Sequence, residues 1–596
     1  MDVVKMNVQK GSPKFHNERD EEKKKKHGGW RAITFILGNE TLERLGTIGL
    51  LSNFMVYLMR VFHMEQVDAS NVINIWSGLT NLTPLVGAFI SDAYIGRFKT
   101  IAFASFATLL GLVTITLTAS LPKLHPRPCN NQPPAGGCVS GPNKLHLGVL
   151  LTGLAFLSVG SGGIRPCSIP FGVDQFDQRT EEGLKGVASF FNWYYTTFTI
   201  VLLITQTVVV YIQDQISWVI GFSIPTGLMA CAVLLFFLGM KHYVYVKPEG
   251  SIFSGIAQVI SAAFKKRKVK IPADDAAVEF YDPPVKATVL SKLPHTDQFR
   301  FLDKAALITV GDLNVDGVPT NQRRLCSVQQ VEEVKCLIRI IPVWSAGIIA
   351  LVTMSQQGTF TVSQALKMDR HIGRNFQVPA GSMSVISLLT IGIWLPFYDR
   401  IFVPSIRKIT GHKSGITLLQ RVGVGIVFAI LSMVVAGLVE RVRRNAAVNA
   451  GDPTGMTEMS VFWLAPQLIL MGLCEAFNII GQIEFFNSQF PEHMRSIANS
   501  LFSLSFAGSS YLSSVIVTTV HKFSGGNGRP DWLNKDINAG KLDYFYYLIA
   551  GLGVVNLVYF WYCARSYRYK SGFQIGDDDQ KRSFEDIEMN PVKPLK

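Results

Sequence analysis

The sequence predicts an all-α membrane protein that crosses the bilayer about twelve times, in two bundles of six helices. Hydrophobic residues make up 48% of the chain and charged residues only 17%, whereas soluble proteins carry about 25% charged residues. Apolar segments of about 20 residues, the length that a helix needs to span a bilayer, recur along the whole chain. One polar stretch separates the first six from the last six, so we expect two membrane bundles rather than several soluble domains.

The predicted spans are numbered 1 to 12 in chain order. Spans 1 to 6 are predicted at 31–60, 70–94, 99–121, 145–165, 187–212 and 217–240. Spans 7 to 12 are predicted at 335–357, 377–398, 417–440, 459–484, 496–520 and 543–564. The predicted domains are an N-terminal bundle (31–240), a linker (241–334), a C-terminal bundle (335–564) and polar tails (1–30 and 565–596). We expect disorder in the first 27 residues and after Lys570, where the chain is charged and poor in aromatic residues.

The linker contains the run SIFSGIAQVISAAF, which has helical periodicity and directly precedes four basic residues, Lys265-Lys266-Arg267-Lys268. An amphipathic helix of this kind can lie along the inner membrane surface. The alternative, which we favour, is an ordinary amphipathic linker helix.

The formal net charge is +14, and the basic residues lie mostly in the tails and in loops between spans. Positive loops favour the cytoplasmic side, so we predict a multi-pass protein of the plasma membrane with both termini in the cytoplasm. Arg441, Arg443 and Arg444 then fall on the outer side and are exceptions to this rule. The distribution also argues against nucleic acid as a partner, since that requires basic residues on a folded soluble face.

Motifs of enzymes and cofactor sites are missing from the sequence. It has no P-loop, no GxSxG elbow, no HExxH motif and no GxGxxG between a strand and a helix. We therefore expect no enzyme activity, no cofactor and no metal site. Cys129 and Cys138 share one loop rich in proline and glycine. A disulfide between them is allowed if the loop faces the exterior, and two free thiols are equally compatible with the sequence.

Both halves of the chain carry an acidic residue followed by basic residues at the end of their second span. Asp92 and Arg97 follow span 2, and Asp399 and Arg400 follow span 8. This echo fits two repeated six-span bundles, the architecture of major facilitator transporters. We predict that the two pairs are gating latches at the helix ends, and charges that only fix the topology are the alternative.

Three charged residues, Glu40, Glu43 and Arg44, lie inside the otherwise apolar span 1. A charge at that depth costs about 2.5 kcal/mol or more, so such residues usually face a cavity and act there. Helical spacing places Glu40 beside both Arg44 and Glu43. We predict that protonation of the carboxylates frees Arg44 to bind an anion, so that proton and anion move together. A fixed structural ion-pair cluster is the alternative.

Few other charges lie within the apolar segments. Arg165 ends span 4 directly after two glycines and Ile164, Glu475 lies inside span 10, and the polar side of span 7 includes Met354 and Gln357. Residues of both bundles that meet near the bilayer midplane are expected of a transporter site. The predicted substrate-binding residues are Arg44, Arg165, Met354, Gln357 and Glu475.

Four motifs distinguish the chain further. They are Glu40-x-x-Glu43-Arg44, the turn Gly87…Asp92…Gly96-Arg97, Phe191-Asn192-Trp193-Tyr194-Tyr195 and Gly472-x-x-Glu475. Together they resemble the proton-coupled oligopeptide transporter family and, more closely, its plant branch, the nitrate/peptide transporter family. The runs GGIRPCSIPFGVDQFD, LDKAA, VEEVKCLIRIIPVW and MDRHIG are similar to the subgroup that moves nitrate and, in some members, glucosinolates or gibberellins. The resemblance extends over nearly the whole chain.

This resemblance implies a twelve-helix major facilitator fold that works by alternating access, with Glu40, Glu43 and Arg44 as its proton-coupling group. Arg165 occupies the place where many relatives have a lysine that couples to these glutamates. Arginine keeps the charge but does not lose its proton. Glu475 matches a glutamate that meets the substrate amine in peptide-carrying relatives.

Some positions depart from the relatives. Met354 occupies the place of a histidine that holds nitrate in a dual-affinity nitrate transporter, and a thioether offers neither a proton nor a cationic donor. The run Thr196-Thr197-Phe198-Thr199 replaces Ile-Asn-x-Gly of peptide carriers, which argues against dipeptides. Thr100 matches a phosphorylated threonine of one relative, where a phosphate would disturb the inner latch. An unmodified threonine at a helix N-terminus is the alternative.

We therefore predict a proton-coupled anion symporter of a plant plasma membrane, with low-affinity nitrate as the leading substrate. A proton-coupled importer of larger organic anions, glucosinolates or gibberellins, is the second candidate. From other classes, the alternatives are a membrane nitrate sensor with little transport and an anion channel. The predicted partners are protons, a small or medium-sized anion and the lipid bilayer, with a homodimer and a regulatory kinase as further candidates.

Overall fold

The computed structural model describes residues 28–569 apart from several gaps, and helices dominate the described part. The gaps are 127–140, 178–179, 247–251, 270–279, 284–292, 310, 315–317, 322, 375, 411–414, 451–455, 491–493, 526–530 and 568. Cys129, Cys138 and most of the two predicted tails lie outside the described residues.

The N-terminal bundle is built from spans 1 to 6. Span 1 consists of two helices, Gly29–Ser52 and Phe54–Arg60, which meet at Asn53. Spans 2 to 6 are formed by the helices Gln66–Ile90, Arg97–Ser120, Lys144–Val173, Glu181–Ile204 and Trp218–Leu238. Short irregular turns extend spans 2, 5 and 6: Ser91–Ile95, Thr205–Val209 and Ile212–Ile216 are π-helical, and Gly239–His242 is a 3-10 turn.

The C-terminal bundle is built from spans 7 to 12. Spans 7, 9, 11 and 12 are the single helices Val328–Leu366, Leu418–Ala450, Arg495–Ser524 and Leu542–Ser566. Span 8 comprises Ala380–Ser384, Val385–Phe397, Tyr398–Phe402 and Val403–Thr410. Span 10 comprises Val461–Leu464, Ala465–Cys474, Glu475–Ile479 and Ile480–Gln489.

In the part of the chain that the structure describes, strands form short pairs near the end of span 7. Met368–Asp369 pairs in parallel with Thr457–Ser460, and His371–Ile372 pairs antiparallel with Phe376–Gln377. The antiparallel pair lies within the loop that follows span 7, and the parallel pair joins this loop to the segment before span 10. Both pairs lie at the same end of the C-terminal bundle.

Ten of the helices in the described residues are long and apolar enough to cross a membrane. Spans 1 and 2 have comparable lengths of 24 and 25 residues in their main helices. They fall outside that group of ten because polar residues interrupt them, the charged cluster in span 1 and asparagines in span 2. The twelve spans confirm the predicted all-α fold of two six-helix bundles.

Span 7 is longer than predicted at both ends, because it begins at Val328 rather than at 335 and reaches Leu366 rather than 357. Its start is a capping box, in which the Ser327 hydroxyl accepts from the backbone N–H of Gln330 and the Gln330 side chain accepts from the N–H of Ser327. Such a box supplies partners to two backbone groups at a helix start. Hydropathy windows miss this first part of the helix because it is polar and packs against the linker.

The linker helix Ile252–Lys265 packs its apolar side against the start of span 7. Val259 and Ala262 share a buried cluster with Val331 and Val334. This packing agrees with an amphipathic linker helix, the interpretation that we favoured, since the apolar side is at least partly covered by protein.

Buried lysines fasten the linker. Lys335 of span 7 pairs with Asp303 at 2.7 Å and with Glu332 at 2.8 Å, and Lys266 pairs with Asp312 at 2.7 Å. Burial alone would raise the pKa of Asp312, but hydrogen bonds from Lys266 and Thr309 outweigh it and lower that pKa. The linker is therefore docked on span 7 through charges that are paired.

The interior of the C-terminal bundle holds a fully buried ion pair. Arg443 donates from Nε and Nη2 to the two oxygens of Glu440, both at 2.8 Å, and neither residue is exposed. Gln364 of span 7 donates to the same carboxylate at 2.7 Å, and Arg443 donates to Asn538 at 2.8 Å. Arg443, one of the three arginines predicted as exceptions to the positive-inside rule, is thus paired in the interior of the bundle and does not lie in a loop.

We expect the Arg443→Gln variant to be strongly destabilised, because it leaves the Glu440 carboxylate buried without its cation. Breaking a buried pair on one side costs about 3–5 kcal/mol in soluble proteins. Thermal unfolding of the purified protein, followed by intrinsic fluorescence, measures the effect. The neighbouring Arg441 is exposed, so Arg441→Gln is the matched control and should change the unfolding temperature little. Equal unfolding temperatures for both variants would contradict this interpretation of the ion pair.

Candidate functional site

The charged residues of span 1 are buried within the N-terminal bundle. Glu40 is 2% exposed and Glu43 is 1% exposed. Because unpaired charges in such surroundings are costly, the neighbouring spans must supply partners. The two carboxylates find different ones.

Glu40 lies in a three-residue network with Arg44 and Tyr194. Arg44 Nε donates to Glu40 Oε1 at 2.7 Å, and the Tyr194 hydroxyl of span 5 donates to the same oxygen at 3.1 Å. The second guanidinium nitrogen of Arg44 donates to the Tyr194 hydroxyl, and the ring of Phe198 lies 4.5 Å from the guanidinium carbon. Arg44 is therefore held by a carboxylate, a phenol and an aromatic face.

Glu43 has a hydroxyl as its hydrogen-bond partner. Thr47, one turn further along span 1, donates to Glu43 Oε1 at 2.9 Å. Of the charged groups that act on Arg165 of span 4, Glu43 exerts the largest electrostatic effect, followed by Arg44 and Glu40. Arg165 makes no hydrogen bond or ion pair with any residue that the structure describes. Arg165 thus interacts electrostatically with the cluster, and its donors have no hydrogen-bond partner among the described residues.

Glycines bring Arg165 to this position. A Cβ on Gly162 would lie 2.8 Å from Thr83 Cβ of span 2, and one on Gly163 would lie 2.5 Å from Ala104 Cβ of span 3. A Cβ on Gly87 of span 2 would lie closer still to the Gly162 carbonyl oxygen. Such contacts leave no room for side chains, so spans 2, 3 and 4 can approach only because these positions are glycine.

The remaining predicted substrate residues belong to the C-terminal bundle. Glu475 begins the π-helical turn Glu475–Ile479 and makes no hydrogen bond or ion pair with the described residues. Met354 is partly exposed and packs against the core of that bundle. Gln357 is buried, and its amide donates to the Ser432 hydroxyl at 2.8 Å. Gln357 is therefore engaged inside the bundle, whereas Glu475 keeps its carboxylate uncommitted.

The predicted latch at the end of span 2 has a partner that sequence reasoning missed. Arg97 pairs with Asp174 at the end of span 4 at 2.5 Å and lies 3.8 Å from Asp92. The pair ties the start of span 3 to the end of span 4, so it lies within one bundle. An acidic residue at the end of the fourth span is the signal that could have identified it.

The predicted gating role of Asp399 and Arg400 in the second half stays a prediction. Asp399 and Arg400 are both exposed and form no ion pair within the described part of the chain. The ion pair at this end joins Arg421 at the start of span 9 to Glu484 near the end of span 10, at 2.9 Å. Arg421 also lies over the Tyr398 ring at 4.5 Å. In each bundle, an arginine at the start of the third helix thus pairs with an acidic residue near the end of the fourth helix.

Thr100 is buried in the structure. It is 6% exposed, and its hydroxyl donates to the Gly96 carbonyl at 2.9 Å. A kinase could reach this hydroxyl only after the packing of spans 3 and 4 had loosened, and phosphorylation at this position stays a prediction.

The two bundles meet at the ends remote from the linker. Asp214, after span 5, is held by Arg60 of span 1 at 2.8 Å and by Arg370, after span 7, at 3.3 Å. This lock, Arg60–Asp214–Arg370, joins the N-terminal bundle to the C-terminal bundle and was not predicted. Arg60 and Asp214 lie at the ends of spans 1 and 5, and Arg370 lies in the loop after span 7. Sequence alone does not tell which of these ends and loops lie next to each other.

A polar seam between spans 2 and 11 continues this contact. Asn71 donates to Thr518 at 3.1 Å and accepts from Ser514 at 2.7 Å, and Ser510 donates to Ser77 at 3.3 Å. Among the described residues, hydrogen bonds between the bundles occur on this side only. In the described part of the chain, the two bundles are therefore joined by hydrogen bonds on the side of the lock.

Comparison with known proteins agrees with this architecture. The twelve helices form two six-helix bundles with charged residues buried inside each bundle, which is the major facilitator architecture. A family model described as PTR2, the POT family, matches residues 98–533. The chain belongs to this family of proton-dependent transporters.

Curated relatives extend over almost the whole chain. NRT1/PTR family protein 2.13 of Arabidopsis thaliana is 77% identical over 577 residues, covering 97% of this chain and 93% of the relative. NRT1/PTR family protein 2.12 of the same plant is 69% identical, covering 95% and 96%. A crystal structure of the POT family transporter PepTSo has the same fold, with a TM-score of 0.66 at 20% identity over 90% of this chain and 98% of that one.

We expect the Asp214→Asn variant to open the side of the lock, because it leaves Arg60 and Arg370 without the anion between them. A cysteine introduced at Ser363, which is buried at the bundle interface against Met59, should then react several times faster with a water-soluble maleimide in a cysteine-free background. The control is Glu65→Gln, which removes an exposed pair with Lys535 of little energetic value. Unchanged reactivity in Asp214→Asn would show that the lock does not hold the closed side.

Proposed function

We propose that this transporter is a proton-coupled anion symporter, with Glu43 as the proton-binding carboxylate and Arg165 as the cation that receives the anion. The observation that carries the proposal is the contrast between the two arginines. Arg44 is bonded to Glu40 and Tyr194, whereas Arg165 has no partner among the described residues and faces Glu43.

The coupling follows from electrostatics. While Glu43 is ionised, its carboxylate attracts Arg165 and competes with any anion for it. Protonation removes that competitor, so an anion gains affinity for Arg165 when a proton is bound, and by linkage the bound anion favours the protonated carboxyl by the same factor. Arginine suits this role because it stays charged and offers forked donors to planar oxyanions.

Nitrate at low affinity is the substrate that we propose first. Nitrate is planar and carries one charge, so a guanidinium can bind two of its oxygens. Met354 offers no donor to a second side of the anion, which supports weak rather than tight binding. Larger organic anions, such as glucosinolates or gibberellins, are the second candidate, favoured by the partly exposed Met354 of the C-terminal bundle, whose thioether can pack against the apolar part of such an anion.

The proposed orientation places the linker and both termini in the cytoplasm of a plasma-membrane protein. The basic linker residues support it, and so does the pairing of Arg443 with Glu440 and of Arg444 with Asp543, which removes two of the three exceptions. In this orientation the structure faces inward, with Arg60–Asp214–Arg370 closing the outer side. Asp92, Arg97, Asp399 and Arg400 stay the proposed gating charges, and they would act in the outward-facing state, because in this structure Arg97 pairs within its own bundle and Asp399 and Arg400 form no ion pair among the described residues. A homodimer and a regulatory kinase are further proposed partners.

Uptake measurements test the substrate. In cells that express the chain, we expect labelled nitrate to accumulate under an inward proton gradient and to be lost on addition of a protonophore. Proton-driven uptake of organic anions alone would replace nitrate as the substrate. Binding without uptake would favour the sensor, and a nitrate current that is independent of protons would favour the channel.

Substitution of Arg165 tests the proposed site. We expect Arg165→Gln to lower uptake at least tenfold, since it removes the cation, and Arg165→Lys to retain part of it, because a charge remains without the forked donors. Arg441→Gln, which neutralises an exposed arginine of span 9, should transport like the wild type. Full uptake in Arg165→Gln, at equal surface expression, would exclude this arginine as the anion site.

A further inference from the structure

We propose that Thr47 is a positioning residue that sets the pH range over which Glu43 binds its proton. This inference rests on the proposed role of Glu43 and adds a residue that the comparisons do not assign. Thr47 is 4% exposed, and its hydroxyl donates to Glu43 Oε1 at 2.9 Å.

The direction of this hydrogen bond is unusual for a threonine within a helix. Threonines in these spans commonly donate to the backbone carbonyl four residues earlier, as Thr34, Thr100 and Thr205 do at 2.7 to 3.0 Å. Thr47 instead donates to the side chain four residues earlier. Its hydroxyl is therefore committed to the Glu43 carboxylate, although a backbone acceptor is the usual alternative.

The hydrogen bond from Thr47 stabilises the ionised form of Glu43 more than the protonated form. A hydroxyl that donates to a carboxylate favours the ionised form, and a protonated carboxyl accepts from it more weakly. Thr47 thus helps to keep Glu43 ionised in a buried place where no hydrogen bond from an arginine reaches it. Because Thr47 occupies Oε1, an approach of Arg165 would use the second oxygen.

All charged and titratable groups that act on Glu43 belong to this cluster. Glu40 and Arg44 of span 1 and Arg165 of span 4 are the charged groups that interact with Glu43. Tyr194 of span 5 acts through Glu40 and Arg44, to which it is bonded. Thr47 is the uncharged contributor in the set, so its hydroxyl can be removed without changing the net charge of the site.

The test uses three variants of similar size. Thr47→Val removes the hydroxyl and keeps the branched shape, Thr47→Ser keeps the hydroxyl, and Thr41→Val makes the same change at a partly exposed threonine of span 1. The readout is the infrared band of the protonated carboxyl, titrated against pH in the purified full chain in lipid nanodiscs. Glu43→Gln identifies the part of the band that belongs to Glu43.

Loss of the Thr47 hydroxyl disfavours the ionised form of Glu43, so Glu43 binds its proton at a lower proton concentration, that is, at a higher pH. We expect the midpoint of the Glu43 band to move about one pH unit upward in Thr47→Val, a tenfold change in proton concentration, and to stay in place in Thr47→Ser and Thr41→Val. A midpoint in Thr47→Val equal to that of the wild type would overturn the inference. A shifted midpoint in a chain that shows no proton-driven uptake would support the role of Thr47 and contradict the proposed function instead.

Discussion

The burial of Glu40 and Glu43 inside span 1 is the constraint on which the N-terminal bundle depends. Two carboxylates at this depth repel each other and lose their hydration, so the neighbouring helices must bring donors to them. Span 5 supplies the Tyr194 hydroxyl to Glu40, and span 1 itself supplies Arg44 and Thr47, whereas Arg165 of span 4 contributes a positive charge without a hydrogen bond to the acids. Span 4 approaches spans 2 and 3 closely enough only because its turn before Arg165 carries Gly162 and Gly163. The glycine packing and the charged site are therefore parts of one arrangement, and a larger residue at either glycine would displace the cation from the acids.

The Arg443–Glu440 pair and the charged cluster of span 1 differ in how completely their hydrogen bonds are satisfied. In the C-terminal bundle, Arg443 and Glu440 share two hydrogen bonds, and Gln364 and Asn538 occupy remaining positions. In the N-terminal bundle, Glu40 Oε2 has no hydrogen-bond partner and Arg165 has no ion pair among the described residues. A saturated network resists change because any rearrangement leaves a buried charge alone. An unsaturated one can accept a proton or an anion at little cost, which suits the N-terminal bundle to the coupling that we propose.

Much of the fold could be predicted from the sequence, because hydropathy reports which segments enter the bilayer. Hydropathy did not predict the start of span 7, because the first turns of this helix are polar and pack against the linker. The capping box of Ser327 and Gln330 marks that start in the sequence. At the site, the sequence indicated which charges lie in the membrane but not how they pair. Tyr194 is 154 residues away from Glu40, and that contact depends on how spans 1 and 5 pack. The same reason explains why the Asp399–Arg400 latch was predicted and the Arg421–Glu484 pair was not.

Ion pairs within one bundle can stay intact during transport, whereas ion pairs between the bundles must break when the bundles move apart. Arg97–Asp174 and Arg421–Glu484 each join the third helix of a bundle to its fourth, so neither pair needs to break when the bundles rock against each other. The Asp214 carboxylate instead joins the bundles through Arg60 and Arg370. In the proposed cycle the outer side can open only if Asp214 gives up at least Arg370, which is buried and would then need hydration or another anion. Opening is thus easiest when water or an approaching anion can reach Arg370, so the outer lock has the charge expected of an entrance for anions.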